Sequence, residues 1–246
     1  MTIFSGYSVI GNSVISYRVK IIPLMPSIKK LYSFLIDFLF PNEEAVKEIE
    51  NMDVNEFREK TGKVMPFRWV LKNDNYSILQ YQNPIVKKVI WQIKYRGNRK
   101  ITAIVAKIFY EEILAELENK ALFENFINPI VVPIPISKKR YKKRGFNQMG
   151  LVGKELEKID QGSSFEYRED ILTKTKETLP QTMIKNRSLR MLNLRNCFKV
   201  VNRSVIKNRN IILIDDVLTT GSTVAEAKKT LKYAGAKKII AFTIAH

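Results

Sequence analysis

The sequence has almost none of the residues that form disulfides, thiolate metal sites or histidine-based catalytic centres. Its 246 residues include one cysteine, Cys197, and one histidine, His246. A single cysteine excludes an intrachain disulfide and a multi-cysteine zinc site, and we expect a reducing, cytoplasmic location. A single terminal histidine excludes Ser–His–Asp triads and HExxH zinc sites. Any chemistry in this chain must therefore use other residue types.

Long apolar runs are also missing. No stretch reaches the roughly 18–20 apolar residues that a membrane-spanning helix needs. The segment LYSFLIDFLF (31–40) contains Asp37 and predicts an amphipathic or core helix rather than stable membrane insertion. Residues 1–24 lack the charged start, apolar block and cleavage site of a signal peptide. A start at Met25 is a hypothesis that N-terminal sequencing of the native protein would test.

Positive charge is what the chain has in excess. Its 42 lysines and arginines outnumber 24 acidic residues, which gives a net charge of +18. Such a balance favours polyanionic partners: phosphorylated metabolites, nucleic acid or an anionic membrane surface. The hydrophobic content of 45% is enough for the core of one large domain or two small ones.

Apolar strands alternate with amphipathic helices from about residue 76 onward. Predicted strands cover 76–81, 129–133, 170–173, 197–201, 210–215 and the final IIAFTIA, and predicted helices begin after Asn83, near Lys100, at Asn147 and at Ser222. This order predicts an α/β fold with a mainly parallel central sheet flanked by helices. The polar section 41–64 predicts one or two short helices. We therefore expect a mostly helical N-terminal extension (1–75) and a main domain (76–246).

The stretch IILIDDVLTTGST (211–223) carries the strongest functional signal. Four apolar residues are followed by Asp215 and Asp216, and then by a loop of threonine, glycine and serine. Helix capping does not explain it, because a cap needs one short polar residue rather than two acids six residues upstream. A Walker B strand would need a P-loop, and Gly145–Gly150 is followed by Leu151 and Val152 instead of Lys and Ser/Thr. A receiver-type acidic pocket lies at the start of a domain, whereas only about 30 residues remain here.

A phosphorylated ribose explains the stretch better. Backbone amides, hydroxyl groups and a helix N-terminus together bind a phosphate dianion. Two carboxylates can accept hydrogen bonds from vicinal hydroxyls, and a ribose 5-phosphate offers both groups. The candidate residues are Asp215 and Asp216 for the diol, with Thr219, Thr220, Gly221, Ser222 and Thr223 for the phosphate.

This stretch resembles the binding signature of type I phosphoribosyltransferases. Four other segments resemble the ComF family of competence-associated, phosphoribosyltransferase-like proteins: VVPIPISKKRYKKRGFNQ (131–148), LPQTMIKNRSLRMLN (179–193), KYRGN (94–98) and LIDFLFP (35–41). The resemblance extends in order over roughly residues 30–246.

The resemblance implies a type I phosphoribosyltransferase-like fold that binds phosphoribosyl pyrophosphate, with Mg²⁺ held mainly through that ligand. It assigns the pyrophosphate to a loop at Ser137, Lys138, Lys139 and Arg140, with Arg144 beside it; the alternative is a solvated basic face. It also makes residues 174–195 a loop that closes over substrate, from which Lys185, Arg187 and Arg190 reach the leaving pyrophosphate; the alternative is an exposed helix. Asp215, Asp216, Lys185 and Arg187 are the catalytic candidates.

One departure concerns zinc. ComF proteins usually carry paired cysteines of a zinc ribbon after the LLFP-like stretch, whereas this chain has NEEAVKEIENMDVNEFREK there and no cysteine. We expect no zinc, and a small helical cap instead. Two functional classes stay open: a phosphoribosyltransferase with an unidentified acceptor, and a non-catalytic accessory protein of DNA uptake or recombination. A protein of the second class would bind single-stranded DNA and DNA-uptake proteins, and its phosphate-binding pocket would be regulatory.

Overall fold

The protein was analysed as a computed structural model that describes residues 3–10, 13–20, 43–62, 74–178 and 192–246. It divides into two compact units, Met1–Val46 and Lys47–His246. In the first unit, strands β1 (Ile3–Ile10) and β2 (Ser13–Lys20) pair antiparallel, with Ile10 opposite Ser13. This hairpin was not predicted. The segment 31–40 lies outside the described residues.

The polar section forms two short helices, as predicted. They are α1 (Glu43–Asn51), within which the division between the units falls, and α2 (Val54–Thr61). Asp53 begins α2, because its carboxylate accepts hydrogen bonds from the amides of Asn55 and Glu56 at 2.8 and 2.9 Å. The predicted boundary at residues 75/76 stays a prediction.

The second unit contains a five-stranded parallel sheet with the strand order β3-β9-β8-β4-β5. Its strands are β3 (Asn75–Leu79), β4 (Ile130–Pro133), β5 (Glu166–Tyr167), β8 (Ile211–Val217) and β9 (Ile239–Ala245). The α/β class and the parallel central sheet are confirmed. Because all five strands are parallel, their carboxyl ends meet at one edge, where ligands bind in such folds.

Helices connect these strands. They are α3 (Pro84–Trp91), a π-helix (Gln92–Arg96), α4 (Arg99–Glu124), α5 (Lys138–Arg144), α6 (Gln148–Asp160), α7 (Arg203–Ile206) and α8 (Ser222–Tyr233). Asn83 caps α3 with Pro84 at its first position, and Gly97 ends the π-helix with φ +58°, as predicted for this helix pair.

Strands β6 (Leu172–Lys174) and β7 (Phe198–Val200) pair antiparallel with each other. Both were predicted as strands, but they form a separate two-stranded sheet instead of extending the central one. Their buried residues join a core with Ile211 and Leu213 of β8 and with Val224, Ala227 and Leu231 of α8. This hairpin and α8 therefore cover one face of the central sheet.

Candidate functional site

The two acids of the central motif lie inside strand β8 rather than after it. The sequence predicted a strand that ends at residue 215, but β8 continues to Val217 because its pairing with β9 runs on to Val217 opposite Ala245. Consecutive residues of a strand face opposite sides of the sheet. Asp215 and Asp216 therefore point to different faces at the carboxyl edge, and not side by side as the motif suggested.

Asp216 is held by two side chains that sequence reasoning did not assign to the site. Lys94 Nζ lies 2.8 Å from Asp216 Oδ2, and Gln148 Nε2 donates to the same oxygen at 2.9 Å. Because both partners contact Oδ2, Oδ1 has no side-chain donor in the part of the chain that the structure describes. Burial raises the pKa of Asp216, but the charge and hydrogen bond of Lys94 and the amide of Gln148 outweigh burial and lower it overall.

Asp215 has a less favourable environment. Its Oδ1 accepts a hydrogen bond from the Asp216 amide at 2.9 Å. Within the described residues, no side chain donates to it. Burial and the neighbouring charge of Asp216 raise the pKa of Asp215 to about 7. One acid of the pair is thus fixed as a carboxylate, while the other gains and loses a proton near neutral pH.

The π-helix places Lys94 at the site. A π-helical turn shifts the side-chain register within a helix and is frequent at functional sites. Gly97 ends this turn with a positive φ, and a Cβ atom there would lie 3.1 Å from the Phe146 ring. Both the backbone conformation and the space therefore favour glycine here. KYRGN contributed only to the family resemblance, and no local signal reveals a contact across 122 positions.

Arg144 reaches Asp216 through Gln148. Its guanidinium donates to Gln148 Oε1 at 3.1 Å and lies 5.0 Å from the centre of the Tyr95 ring. Arg144 was predicted to lie beside the site, and the structure places it one contact away from Asp216. It orients the amide that donates to the acid.

The threonine and glycine loop leads into α8 without a side-chain cap. Gly221 is the N-cap residue at φ +72°, and within the described residues no side chain caps the first backbone amides of the helix. Thr220 Oγ1 and Ser222 Oγ lie 2.7 Å apart and hydrogen-bond to each other. Thr219 is exposed, while Gly221 and Thr223 are half-buried. The first amides of α8 are left open to an anion.

The basic segment after β4 is helical, and not the predicted loop. Ser137, 2% exposed, begins α5, and Lys138, Lys139 and Arg140 form its first turn. Glu177 holds this turn, because its carboxylate accepts from Ser137 Oγ at 2.7 Å and from the Lys139 amide at 3.0 Å. Those two hydrogen bonds, the amide first, lower the pKa of Glu177. Glu177 was not among the predicted site residues.

Three predicted cations, Lys185, Arg187 and Arg190, lie outside the described residues, so their roles stay predictions. Among the residues that are described, no group of three or more His, Cys, Asp or Glu side chains could hold a metal ion. No helix in the same part of the chain is both long and apolar enough to span a membrane.

Part of the chain matches a known domain family, and curated proteins are similar to about two thirds of it. Residues 162–246, which include β8 and α8, match the family of phosphoribosyl transferase domains. The chain is similar to competence protein ComFC of Streptococcus pneumoniae, with 32% identity over 163 residues, covering 66% of this chain and 64% of that protein. It is 28% identical to DNA utilization protein YhgH of Escherichia coli, covering 66% of this chain and 67% of that protein. These relatives confirm the resemblance to the competence-associated family.

Solved structures with partial similarity include the allosteric regulatory enzyme of purine biosynthesis, with a TM-score of 0.35 and 15% identity. That match covers 63% of this chain and 30% of the enzyme, so the chain spans less than a third of that structure's length. A hypoxanthine phosphoribosyltransferase from Staphylococcus aureus matches with a TM-score of 0.32 and 13% identity, over 57% of this chain and 62% of that one.

Proposed function

We propose that this chain, a ComF-related protein with a phosphoribosyl transferase domain, binds phosphoribosyl pyrophosphate with Mg²⁺ at the carboxyl edge of its parallel sheet. The observation that carries the proposal is the uncapped start of α8 directly after the two acids of β8. An uncapped 12-residue helix favours a phosphate at its N-terminus. Asp215 and Asp216, at the end of the preceding strand, are available to the ribose hydroxyls.

The residues present suit a magnesium ion that arrives with its ligand. Mg²⁺ keeps several waters and is usually bound through one or two carboxylates and substrate phosphates, rather than by an all-protein cage. Asp215 and Asp216 are the carboxylates at this edge. When bound, Mg²⁺ would neutralise charge on the pyrophosphate leaving group.

Phosphoribosyl transfer needs positioning and charge rather than a nucleophilic side chain. Pyrophosphate leaves C1 of the sugar, positive charge develops on the ring, and an acceptor attacks. Lys94 and Gln148 hold Asp216 as an ionised acceptor of a ribose hydroxyl, which would orient the sugar. The cations of α5 would stabilise the departing pyrophosphate. A chain without a usable histidine can therefore support this reaction.

Calorimetry with phosphoribosyl pyrophosphate and Mg²⁺ tests the proposal. We expect the wild type to bind and the Asp215→Asn/Asp216→Asn double variant to lose most of its affinity. Glu118→Gln is the matched control, because Glu118 is an exposed acid on α4, which leads to the opposite edge of the sheet. Equal affinity in the wild type and the double variant, or no binding by the wild type, would refute the proposal. A screen of candidate acceptors with the wild type would then test for transfer.

A second candidate function, binding of single-stranded DNA, is favoured by helix α5. Six of the eight residues 137–144 are basic, none of the helix residues is buried, and Tyr141 is 53% exposed. Cations release counterions from phosphates, and an exposed ring can stack on any base. The competence and DNA utilization proteins among the relatives support a role linked to DNA uptake. Lys174, the first residue of the predicted loop 174–195, is buried in β6 and is not available to DNA.

A fluorescence titration of a labelled oligonucleotide across a salt series tests this second function. We expect weak binding with little sequence preference, and an affinity that falls steeply with salt. If the same cations serve both ligands, phosphoribosyl pyrophosphate will compete with the oligonucleotide. A salt-independent affinity would contradict the electrostatic account, and no binding at low salt would leave only the small-molecule function.

A further inference from the structure

The side chain of Lys174 is buried although it ends in an amine. In the hairpin β6–β7, Leu172 and Lys174 are buried, while Thr173 between them is half-exposed. Lys174 is 7% exposed, and its Nζ lies 5.6 Å from the centre of the Phe198 ring. Within the described residues it makes no hydrogen bond and no ion pair. An amine in this position loses water without gaining an acceptor, which is unfavourable.

Lys120 is a second buried lysine, and its contacts are those expected of a structural residue. Lys120 of α4 is 6% exposed, and three carboxylates lie within 4 Å of its Nζ: Asp74 at 3.1 Å, Glu116 at 3.6 Å and Glu124 at 2.7 Å. Buried charges in proteins are normally paired in this way. Lys174 departs from that pattern, and burial accordingly lowers its pKa.

The charged groups near Lys174 belong to the candidate site. They are Arg140, Asp215 and Glu177, together with the Cys197 thiol. Glu177 is engaged by Ser137 and Lys139, and Asp215 is the acid with the raised pKa. Neither carboxylate forms an ion pair with Lys174. Glu177, three residues after Lys174, holds the first turn of α5, and Leu172 of β6 packs in one core with Leu218, which follows β8. Lys174 is therefore next to the elements that form the candidate site, where an anionic ligand would supply its partner.

We propose that Lys174 binds the pyrophosphate group of the ligand and is a ligand-contacting residue of this site. The inference rests on the proposed function. It adds Lys174 to the residues that contact the ligand, whereas the sequence predicted it only as part of a loop that closes over substrate. Pyrophosphate is favoured over the 5-phosphate because Glu177, three residues after Lys174, holds the basic first turn of α5, whereas the uncapped amides are at α8. The unfavourable burial of the amine is offset only when ligand is bound.

Calorimetry with inorganic pyrophosphate and Mg²⁺ tests this role without the ribose. The variant is Lys174→Met, and the matched control is Lys199→Met, which removes the same charge from an exposed position of the same hairpin. A charge-assisted hydrogen bond predicts that Lys174→Met weakens pyrophosphate binding by about tenfold or more. The control should stay within about twofold of the wild type, as expected for an exposed charge. Ribose 5-phosphate should bind equally to all three proteins.

A melting temperature separates a ligand-binding role from a structural one. Because methionine removes an unpaired buried amine, Lys174→Met should melt at or above the wild-type temperature without ligand. Three results for Lys174→Met would overturn the inference: a melting temperature below that of the wild type, an unchanged affinity for pyrophosphate, or a loss of affinity for ribose 5-phosphate without a loss for pyrophosphate. If Lys174→Met binds pyrophosphate normally while phosphoribosyl pyrophosphate still requires Asp215 and Asp216, only the inference fails. If the wild type binds neither compound, the proposed function fails with it.

Discussion

The charged side chains at the two edges of the parallel sheet differ in how completely they are paired. At the amino edge, Lys120 is surrounded by Asp74, Glu116 and Glu124, and Glu124 also lies 3.5 Å from Lys238. At the carboxyl edge, Asp216 has Lys94, but within the described residues Asp215 and Lys174 form no ion pair and no hydrogen bond with another side chain. The amino-edge charges satisfy one another, whereas those of the carboxyl edge are incompletely paired.

This difference in pairing indicates that the charges at the two edges have different roles. A paired network stabilises the fold and needs nothing further. An incompletely paired set reduces stability, and it is retained where a ligand completes it. The comparison therefore predicts that amino-edge variants change stability alone, while carboxyl-edge variants change binding.

The largest effect on stability is expected from Lys120→Met. Removing this amine leaves the carboxylate of Glu116, which also accepts a hydrogen bond from Tyr76, without its cation. We expect a loss of about 2–3 kcal/mol, below the roughly 3–5 for fully buried pairs, because Asp74 and Glu124 are partly exposed. Urea unfolding measures it. Lys107→Met, an exposed change on the same helix, should stay within about 0.5 kcal/mol of the wild type.

Lys94→Met should have a smaller effect on stability and an additional effect on binding. It leaves Gln148 as the only side-chain donor to Asp216 within the described residues, at a cost of about 1–2 kcal/mol in unfolding free energy. Affinity for phosphoribosyl pyrophosphate should fall as well, because the acid is no longer held as a carboxylate. Lys100→Met, which removes an exposed cation 3.6 Å from Glu50, is the control. A stability loss with full affinity would place Lys94 among purely structural residues.

A pH dependence of stability should originate from Asp215. Since its pKa is raised to about 7, the folded state binds a proton more tightly than the unfolded state, whose aspartates titrate near 3.9. Stability is therefore lost as pH rises from about 4 to 7. Relative to the wild type, Asp215→Asn should gain at least about 1 kcal/mol between pH 5 and pH 8, the order of one pKa unit. Urea unfolding at the two pH values checks this. An equal change in unfolding free energy between pH 5 and pH 8 in both proteins would contradict it. Glu118→Gln should follow the wild type.

No effect at all is expected from chelation of zinc. Helices α1 and α2 occupy the segment where the family resemblance implied a zinc ribbon, and neither contains a cysteine. The melting temperature should be the same with and without chelator, and elemental analysis after dialysis should find no stoichiometric zinc. One zinc per chain would overturn this expectation.

Local patterns were sufficient for most of the fold. Asn83–Pro84 and Gly97 bound the helices around residue 90, and the alternation of strands and helices predicted the parallel sheet. The acids and the loop into α8 were identified because all their residues are contiguous. The extent of β8 could not be read in the same way, because pairing with β9 carries it through both acids.

Contacts between distant segments could not be predicted from the sequence. Lys94 and Gln148 meet Asp216 across 122 and 68 positions, and Glu177 meets Ser137 across 40. Lys174 was expected in a loop that closes over substrate, yet it lies in β6, whose pairing with β7 places it opposite Phe198. In each case the contact forms only when two strands or helices that are far apart in the sequence pack together.

The most direct test of the account is the rise in melting temperature caused by phosphoribosyl pyrophosphate and Mg²⁺ in three proteins: the wild type, Lys120→Met, and Asp215→Asn/Asp216→Asn. A ligand at about 100 times its Kd stabilises the folded state by about 2.7 kcal/mol. The account predicts that Lys120→Met melts below the wild type yet gains the same increment, whereas the double variant gains none. Equal increments in all three proteins, or no increment in the wild type, would contradict it.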